Sequence, residues 1–136
     1  MPKWRSEVVE TITVDKDEAE QMLYAQDAVY ERMKESITER QLITKLGSIS
    51  STILSFLFML PTKYAVAGAI STIIGGISVS EKNDVLNSIS NGLSGITKIM
   101  KASSDNNGKP VTAEVGFLVF DNLGIRTVSS RYPVIE

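Results

Sequence analysis

The chain has 136 residues, no cysteine and no histidine, and its 14 basic and 16 acidic side chains give a formal charge of −2. Without cysteine the chain has no disulfides, thiolate catalysis or cysteine metal sites. Without histidine it lacks the usual general base near neutral pH and the commonest transition-metal ligand. The acidic balance argues against a dedicated nucleic-acid binder. We therefore expect a non-enzymatic protein without cofactor, metal, nucleic acid or small-molecule substrate.

The pattern of apolar residues predicts a single-domain α+β fold that is mostly helical, with a small antiparallel sheet. The predicted segments are a strand in residues 1–15, an amphipathic helix in 16–45, an apolar helical hairpin in 46–80, an amphipathic helix in 81–101 and a β-hairpin in 111–136. The first 20 residues contain no apolar run behind Lys3 and Arg5, which predicts no cleavable signal peptide.

The N-terminal part of the chain changes from a strand pattern to a helix pattern at Asp15. Residues 7–14 are rich in β-branched side chains, as strands are. Asp15 with Glu18 three residues later forms a capping-box pattern, so a helix is predicted over residues 16–45. Ser36 and Glu39 repeat this pattern, which allows a break or kink near residue 36.

The most distinctive stretch is residues 46–80, in which Lys63 is the single charged residue. Pro61 cannot donate a backbone hydrogen bond and disfavours a helical conformation at the residue before it. Thr62 can then act as the N-cap of a second helix. The stretch is therefore predicted to form two apolar helices joined by a tight turn.

Small residues recur every fourth position in the second arm of this hairpin. Positions four apart share one face of a helix, so the arm presents a smooth surface that another backbone can approach closely. Rows of this kind are typical of helices packed in bilayers. The predicted helix-packing residues are Ala67, Gly68, Ser71, Thr72, Gly75 and Gly76.

The sequence leaves two interpretations of the hairpin open. A membrane span needs about 20 largely apolar residues, and residues 64–80 lie at the lower limit of that length. The first arm reaches it only if it begins near Leu42 and Lys45 extends to the headgroups. The alternative is a buried hairpin in the core of a soluble protein or oligomer. Four residues suit membrane-interface anchors: Trp4, Lys45, Lys63 and Tyr64. For Trp4, packing onto the sheet is the favoured alternative.

The helix predicted over residues 81–101, with Ser80 as its N-cap, has an unusual polar face. A solvated helix face normally carries lysine and glutamate, whereas this one is small and mostly uncharged. Such a face suits a crowded contact with a neighbouring subunit or a headgroup layer, and an ordinary surface helix is the alternative. The candidate interface residues are Asn87, Ser88, Asn91, Gly92 and Gly95.

The C-terminal part is predicted to form a β-hairpin. Residues 111–120 alternate between apolar and polar side chains, and residues 121–124 resemble a hairpin turn. Residues 125–130 return as a second strand, and Pro133 excludes a central-strand position for the chain end. Two strands alone would be marginally stable, so we expect them to pair with the N-terminal strand in one antiparallel sheet.

These features favour a self-associating, non-enzymatic protein whose hairpin inserts into or lies on a membrane, of a holin-like or pore-forming type. The expected partners are further copies of the chain and membrane lipid. One alternative is a soluble structural subunit, for example of a phage particle or surface filament, with the hairpin buried between subunits. A second alternative is a small monomeric regulator or immunity protein. The expected location is accordingly a membrane or a larger assembly.

Overall fold

A computed structural model describes residues 5–136 and shows an α+β fold, which confirms the fold class predicted from the sequence. One continuous hydrophobic cluster receives side chains from β1, from α1 to α5, and from β2 and β3. In chain order the elements are β1 (Arg5–Val14), α1 (Lys16–Met33), α2 (Glu39–Leu46), α3 (Ser51–Phe58), α4 (Lys63–Gly76), α5 (Val79–Asp105), β2 (Val111–Phe120), β3 (Ile125–Val128) and β4 (Val134–Ile135).

The segment predicted as one helix over residues 16–45 is divided into α1 and α2. Glu35 has a left-handed conformation (φ 61°), which a helix cannot continue through. Thr38 then caps α2: its hydroxyl oxygen accepts from the N–H of Gln41 (3.1 Å), and the Gln41 side chain accepts from the N–H of Thr38 (2.8 Å). The capping box therefore lies two residues beyond the predicted one, because the Ser36 hydroxyl instead donates to the carbonyl of Glu31 (2.9 Å).

The apolar stretch folds into the two helices α3 and α4, separated by a turn that contains Pro61. The Thr62 hydroxyl oxygen accepts from the N–H of Ala65 (3.1 Å), which confirms Thr62 as the N-cap of the second arm. At the other side of the turn α3 ends on Met59, which has a left-handed conformation (φ 65°). The hairpin is shorter than predicted, because Ser78, not Ser80, caps α5 and accepts from the N–H of Glu81 (3.2 Å).

The sheet brings the two ends of the chain together, as predicted. β1 pairs antiparallel with β2 over ten residues, from Arg5 opposite Phe120 to Val14 opposite Val111. β3 pairs with β2 from Phe117 to Phe120, and β4 pairs with Ala113 and Glu114. One edge of β2 is occupied by β1. The strands β3 and β4 therefore follow each other along the opposite edge of β2. Pro133 lies in the interruption between them, outside the strands.

The helices cover the sheet unevenly. α1 packs along α5, and α5 also contacts β2 and β3. α3 reaches β3, whereas α4 contacts α2, α1 and α3. The first arm of the hairpin is therefore attached to the sheet, and the second arm is attached mainly to other helices.

A buried glutamine joins α1, α5 and the edge of the sheet. The Gln26 side chain is fully buried. Its Nε2 donates to the carbonyls of Val128 (2.8 Å) and Ile89 (3.1 Å), and its Oε1 accepts from the N–H of Val128 (2.9 Å). A carboxamide offers one donor group and one acceptor group, like a peptide unit. Gln26 therefore satisfies the outward backbone groups of Val128 that a further strand would otherwise bind.

This contact requires α5 to come very close to β3 at Gly92. A Cβ atom added to Gly92 would lie 1.7 Å from the carbonyl oxygen of Val128 and 2.4 Å from Nε2 of Gln26. Real Cβ atoms do not approach a backbone oxygen so closely, so the position accepts only glycine in this packing.

Gly92→Ala and Gly68→Ala form a matched pair of helix substitutions with opposite expected effects. Helix propensity alone predicts that alanine stabilises both helices by about 1 kcal/mol. At Gly92 the overlap with Val128 should reverse the sign and cost about 1–3 kcal/mol. At Gly68 no atom lies within 4 Å of the added Cβ, so the gain should remain. Urea denaturation measures both free energies of unfolding, and a stabilised Gly92→Ala variant would contradict this packing.

Candidate functional site

The predicted helix-packing residues of α4 occupy two different environments. Ala67 is fully buried in the core, and Ser71 is half-buried with its hydroxyl donating to Glu39 on α2 (2.8 Å). The four others are exposed: Gly68, Thr72, Gly75 and Gly76. A Cβ at any of the three glycines would meet no atom within 4 Å. The smooth row thus faces solvent, and no residue among 5–136 packs closely against its glycines.

The predicted interface on α5 is partly filled by the chain itself. Gly92 contacts Val128, and a Cβ at Gly95 would lie 2.0 Å from the carbonyl oxygen of Ser130. One turn on, the Lys98 ammonium donates to the carbonyl of Arg131 (2.8 Å) and lies over the ring of Tyr132 (4.3 Å to its centre).

At Gly92 and Gly95 we expected a contact with a neighbouring subunit or a headgroup layer. Segment 128–132 of the same chain occupies this face instead. This corrects the prediction for these two residues: glycine is needed there because an extended backbone crosses the helix. Of the other predicted interface residues, Asn87 is exposed, and Ser88 and Asn91 are half-buried.

The predicted membrane anchors do not form one cluster of free side chains. Trp4 lies outside the described residues. Lys45, near the end of α2, forms an ion pair with Glu31 (3.7 Å between Nζ and Oε2). Lys63 and Tyr64 begin α4 together, with the Lys63 ammonium 5.4 Å from the centre of the Tyr64 ring.

The apolar hairpin uses most of its large side chains for the core. The buried ones are Ile53, Leu54, Leu57, Phe58, Val66, Ile70 and Ile73. By length and composition alone, the stretch Ser51–Gly76 could cross a membrane, as could the core helix of many soluble proteins. In the folded chain it is divided into helices of 8 and 14 residues. These are about 12 and 21 Å long, shorter than a hydrocarbon core of about 30 Å.

The turn between α3 and α4 is the place where this hairpin exposes large side chains. Met59 is 53% exposed and Tyr64 is 65% exposed, with Pro61 and Thr62 exposed between them and Lys63 beside them. We call residues 59–64 the hairpin tip. It presents an apolar side chain, an aromatic ring and an ammonium group on one short turn.

The sequence around the hairpin tip is free of acidic residues over a long distance. Residues 40–80 contain Arg40, Lys45 and Lys63 but no aspartate or glutamate, although the whole chain is acidic. The charge of the α2–α4 region is therefore opposite in sign to that of the whole chain. An anionic surface that approached the tip would meet no carboxylate in this part of the sequence.

Arg126 of β3 is a polar connection between the hairpin and the sheet. Only 7% of its side chain is exposed. It donates to the carbonyls of Phe56 (2.7 Å) and Leu57 (3.4 Å) in the last turn of α3, and it pairs with Glu10 of β1. Its guanidinium lies over the Phe117 ring. A cation at the C-terminal end of a helix also complements the helix dipole.

Sequence reasoning did not single out Arg126. The sequence did contain a signal for this role: a charged residue between Ile125 and Val128 in a short predicted strand. An arginine that is buried at such a position must be paired or hydrogen-bonded.

Within residues 5–136, no group of three or more metal-binding side chains is close enough to hold an ion. A shallow depression of about 370 Å³ is lined by residues of α1 and the loop before α3, among them Asp17, Glu20 and Tyr24. No protein-family model matches the chain, and comparisons with curated proteins and with solved structures found no significant match.

Arg126→Met should loosen α3 from the sheet. Methionine keeps much of the buried volume but cannot donate to Phe56 and Leu57, so we expect a loss of about 2–3 kcal/mol in the free energy of unfolding. Hydrogen exchange should accelerate most in α3. Arg131→Met is the matched control, because the Arg131 side chain is exposed and its backbone carbonyl, which accepts from Lys98, is retained. Equal exchange in the two variants would contradict the role of Arg126.

Proposed function

We propose that the protein is a non-enzymatic, membrane-associated protein that attaches to anionic lipid surfaces through its hairpin tip. The observation that supports this most strongly is the exposure of Met59 and Tyr64 beside Lys63, within a stretch of 41 residues without an acidic side chain.

The chemistry of the hairpin tip matches the layers of a bilayer surface. Tyrosine is enriched at the level of the headgroups, where its ring is partly immersed and its hydroxyl stays hydrated. A lysine can lay its alkyl stem on apolar groups while its ammonium contacts lipid phosphates. Met59 supplies an unbranched apolar side chain that can enter the acyl boundary. Attachment through these groups leaves the core of the protein folded.

A pore-forming role would demand much more of the fold than surface attachment. Residues 51–76 would have to leave the core and lose the contacts of Arg126 with α3. Because each folded helix is shorter than the hydrocarbon core, we propose attachment at the interface and not a span for the folded protein.

Vesicle flotation without detergent tests the attachment. The protein should float with phosphatidylserine-containing vesicles and stay at the bottom with phosphatidylcholine alone. Lys63→Gln should reduce binding about fivefold, as expected for the loss of ~1 kcal/mol of attraction per basic residue. Tyr64→Ser should also reduce flotation with the phosphatidylserine-containing vesicles, because it removes the aromatic ring at the headgroup level.

Matched controls are available for both substitutions in the flotation experiment. Tyr132 is also exposed (74%) and also lies beneath a lysine, so Tyr132→Ser changes a similar group elsewhere on the surface. Lys109→Gln removes one exposed positive charge outside the hairpin. If the controls weaken binding as much as the tip variants do, attachment is not specific to the tip. If the wild-type protein does not float, the proposal is wrong.

A second candidate function, a soluble structural subunit, is favoured by the exposed row of small residues on α4. Gly68, Gly75 and Gly76 leave open space in which a helix of another copy could approach closely. In this case the α4 face would form a contact between subunits and the protein would need no lipid.

Gly76→Leu separates this candidate from surface attachment. The space around a Cβ at Gly76 is open, so the fold and the sheet should be retained in circular dichroism. A subunit contact through α4 would be blocked, and light scattering should show a smaller oligomer. Ser104→Leu, at an exposed position of α5, is the control for an added surface leucine. An unchanged oligomer in Gly76→Leu would count against assembly through α4.

A further inference from the structure

The outer edge of β1 carries a row of backbone groups without partners in the described part of the chain. β1 is the first strand of the sheet, and its ten residues pair with β2 on one side only. No backbone hydrogen bond joins its other side to another described residue. Natural edge strands are usually protected by charged side chains, above all lysine, by proline or by a bulge. The charged residues of β1 are Arg5, Glu7 and Glu10; the strand contains neither lysine nor proline, and its register with β2 is continuous.

The hydrogen bonds of β2 identify the residues that form this edge. Thr112 and Gly116 accept from Glu136 (2.8 Å) and Ser129 (2.9 Å), on the side of β2 opposite to β1. Backbone groups alternate between the two sides of a strand, so the odd-numbered residues of β2 bind β1. Their partners in β1 are even-numbered. The outward N–H and C=O groups of β1 are therefore those of Arg5, Glu7, Val9, Thr11 and Thr13.

We propose that this edge pairs with the same edge of a second copy of the chain, antiparallel and with Val9 opposite Val9. The central residue of the outward set is Val9, so this register uses all five residues on each strand. A symmetric pair of this kind is self-complementary and closes as a dimer. It would join the two small sheets into one continuous sheet and place the two Val9 side chains, each 69% exposed in the single chain, side by side on one face.

Charge placement supports a second copy in this register. Glu7 lies opposite Thr11 and Arg5 lies opposite Thr13, so no like charges are directly opposed. A register centred on Glu7 or on Glu10 would place two carboxylates face to face, which destabilises a strand pair. In the Val9-centred register Glu10 lies opposite Val8, and its carboxylate is already paired with Arg126 of its own chain.

The cysteine-free sequence allows a direct test by disulfide trapping in the full chain. In a hydrogen-bonded antiparallel pair, opposite Cα atoms are about 5.5 Å apart, which is within disulfide range. Val9→Cys should therefore form a covalent dimer under mild oxidation. Thr11→Cys is the control: the two Thr11 residues would be four positions apart along the strands, about 13 Å, and should not cross-link. A mixture of Thr11→Cys and Glu7→Cys chains should form the heterodimer.

Val9→Pro tests the same interface without a cross-link. The N–H of Val9 points away from β2, so proline removes an outward donor and keeps the ladder between β1 and β2. Analytical ultracentrifugation should show a dimer for the wild type and a 14.9 kDa monomer for Val9→Pro, with unchanged circular dichroism. A monomeric wild-type protein, or equal cross-linking of Val9→Cys and Thr11→Cys, would overturn the proposal. The inference is independent of membrane attachment, because these measurements contain no lipid and the vesicle experiment does not require a dimer.

Discussion

The side-chain amide of Gln26 holds the edge of the sheet to the two longest helices, and the packing around it depends on this contact. The amide binds both backbone groups of Val128, so the last residue of β3 has its outward hydrogen-bonding groups satisfied inside the protein. The same amide reaches Ile89, which fixes the distance between α1 and α5. This contact also requires glycine at position 92 of α5, because the helix can approach Val128 so closely only where there is no Cβ atom between them. The two edges of the sheet therefore differ. A helix side chain binds the outward groups of Val128 at the β3 edge, and no described residue hydrogen-bonds to the outward backbone groups of β1.

Arg126 has a related role for the apolar hairpin. Burying a guanidinium is costly unless its donors are bound, and here the last carbonyls of α3, Glu10 and the Phe117 ring surround it. These contacts give α3 a defined position against the sheet, which apolar packing alone specifies less strictly. The hairpin consequently has a buried apolar side and a free side made of small, mostly uncharged residues, with the hairpin tip at its end.

Much of the fold could be predicted from local patterns, and most of the errors arise from contacts between distant residues. Residue types a few positions apart were enough to predict the helix caps at Asp15 and Thr62. They also predicted the turn at Pro61 and the strands in the N-terminal and C-terminal parts of the chain. The break before α2 depended on which of two nearby capping boxes forms. The small face of α5 was recognised as a site of close contact, but its partner at Gly92 and Gly95 is the chain's own segment after β3. Neither the contacts of Arg126 nor the bonds of Gln26 could be predicted, because they join residues 63 to 116 positions apart.

The long separation between β1 and β2 has a consequence for biosynthesis. Thr13 meets Thr112 and Ser6 meets Asp121, pairs that are 99 and 115 positions apart. A ribosome therefore synthesises β1 and the whole apolar hairpin before it makes β2, Arg126 or Val128. During this interval the side chains that later fill the core have no sheet to cover them, and loop closure over such distances is slow compared with helix formation. The most apolar segment of the nascent chain is thus complete before the sheet that covers it can form.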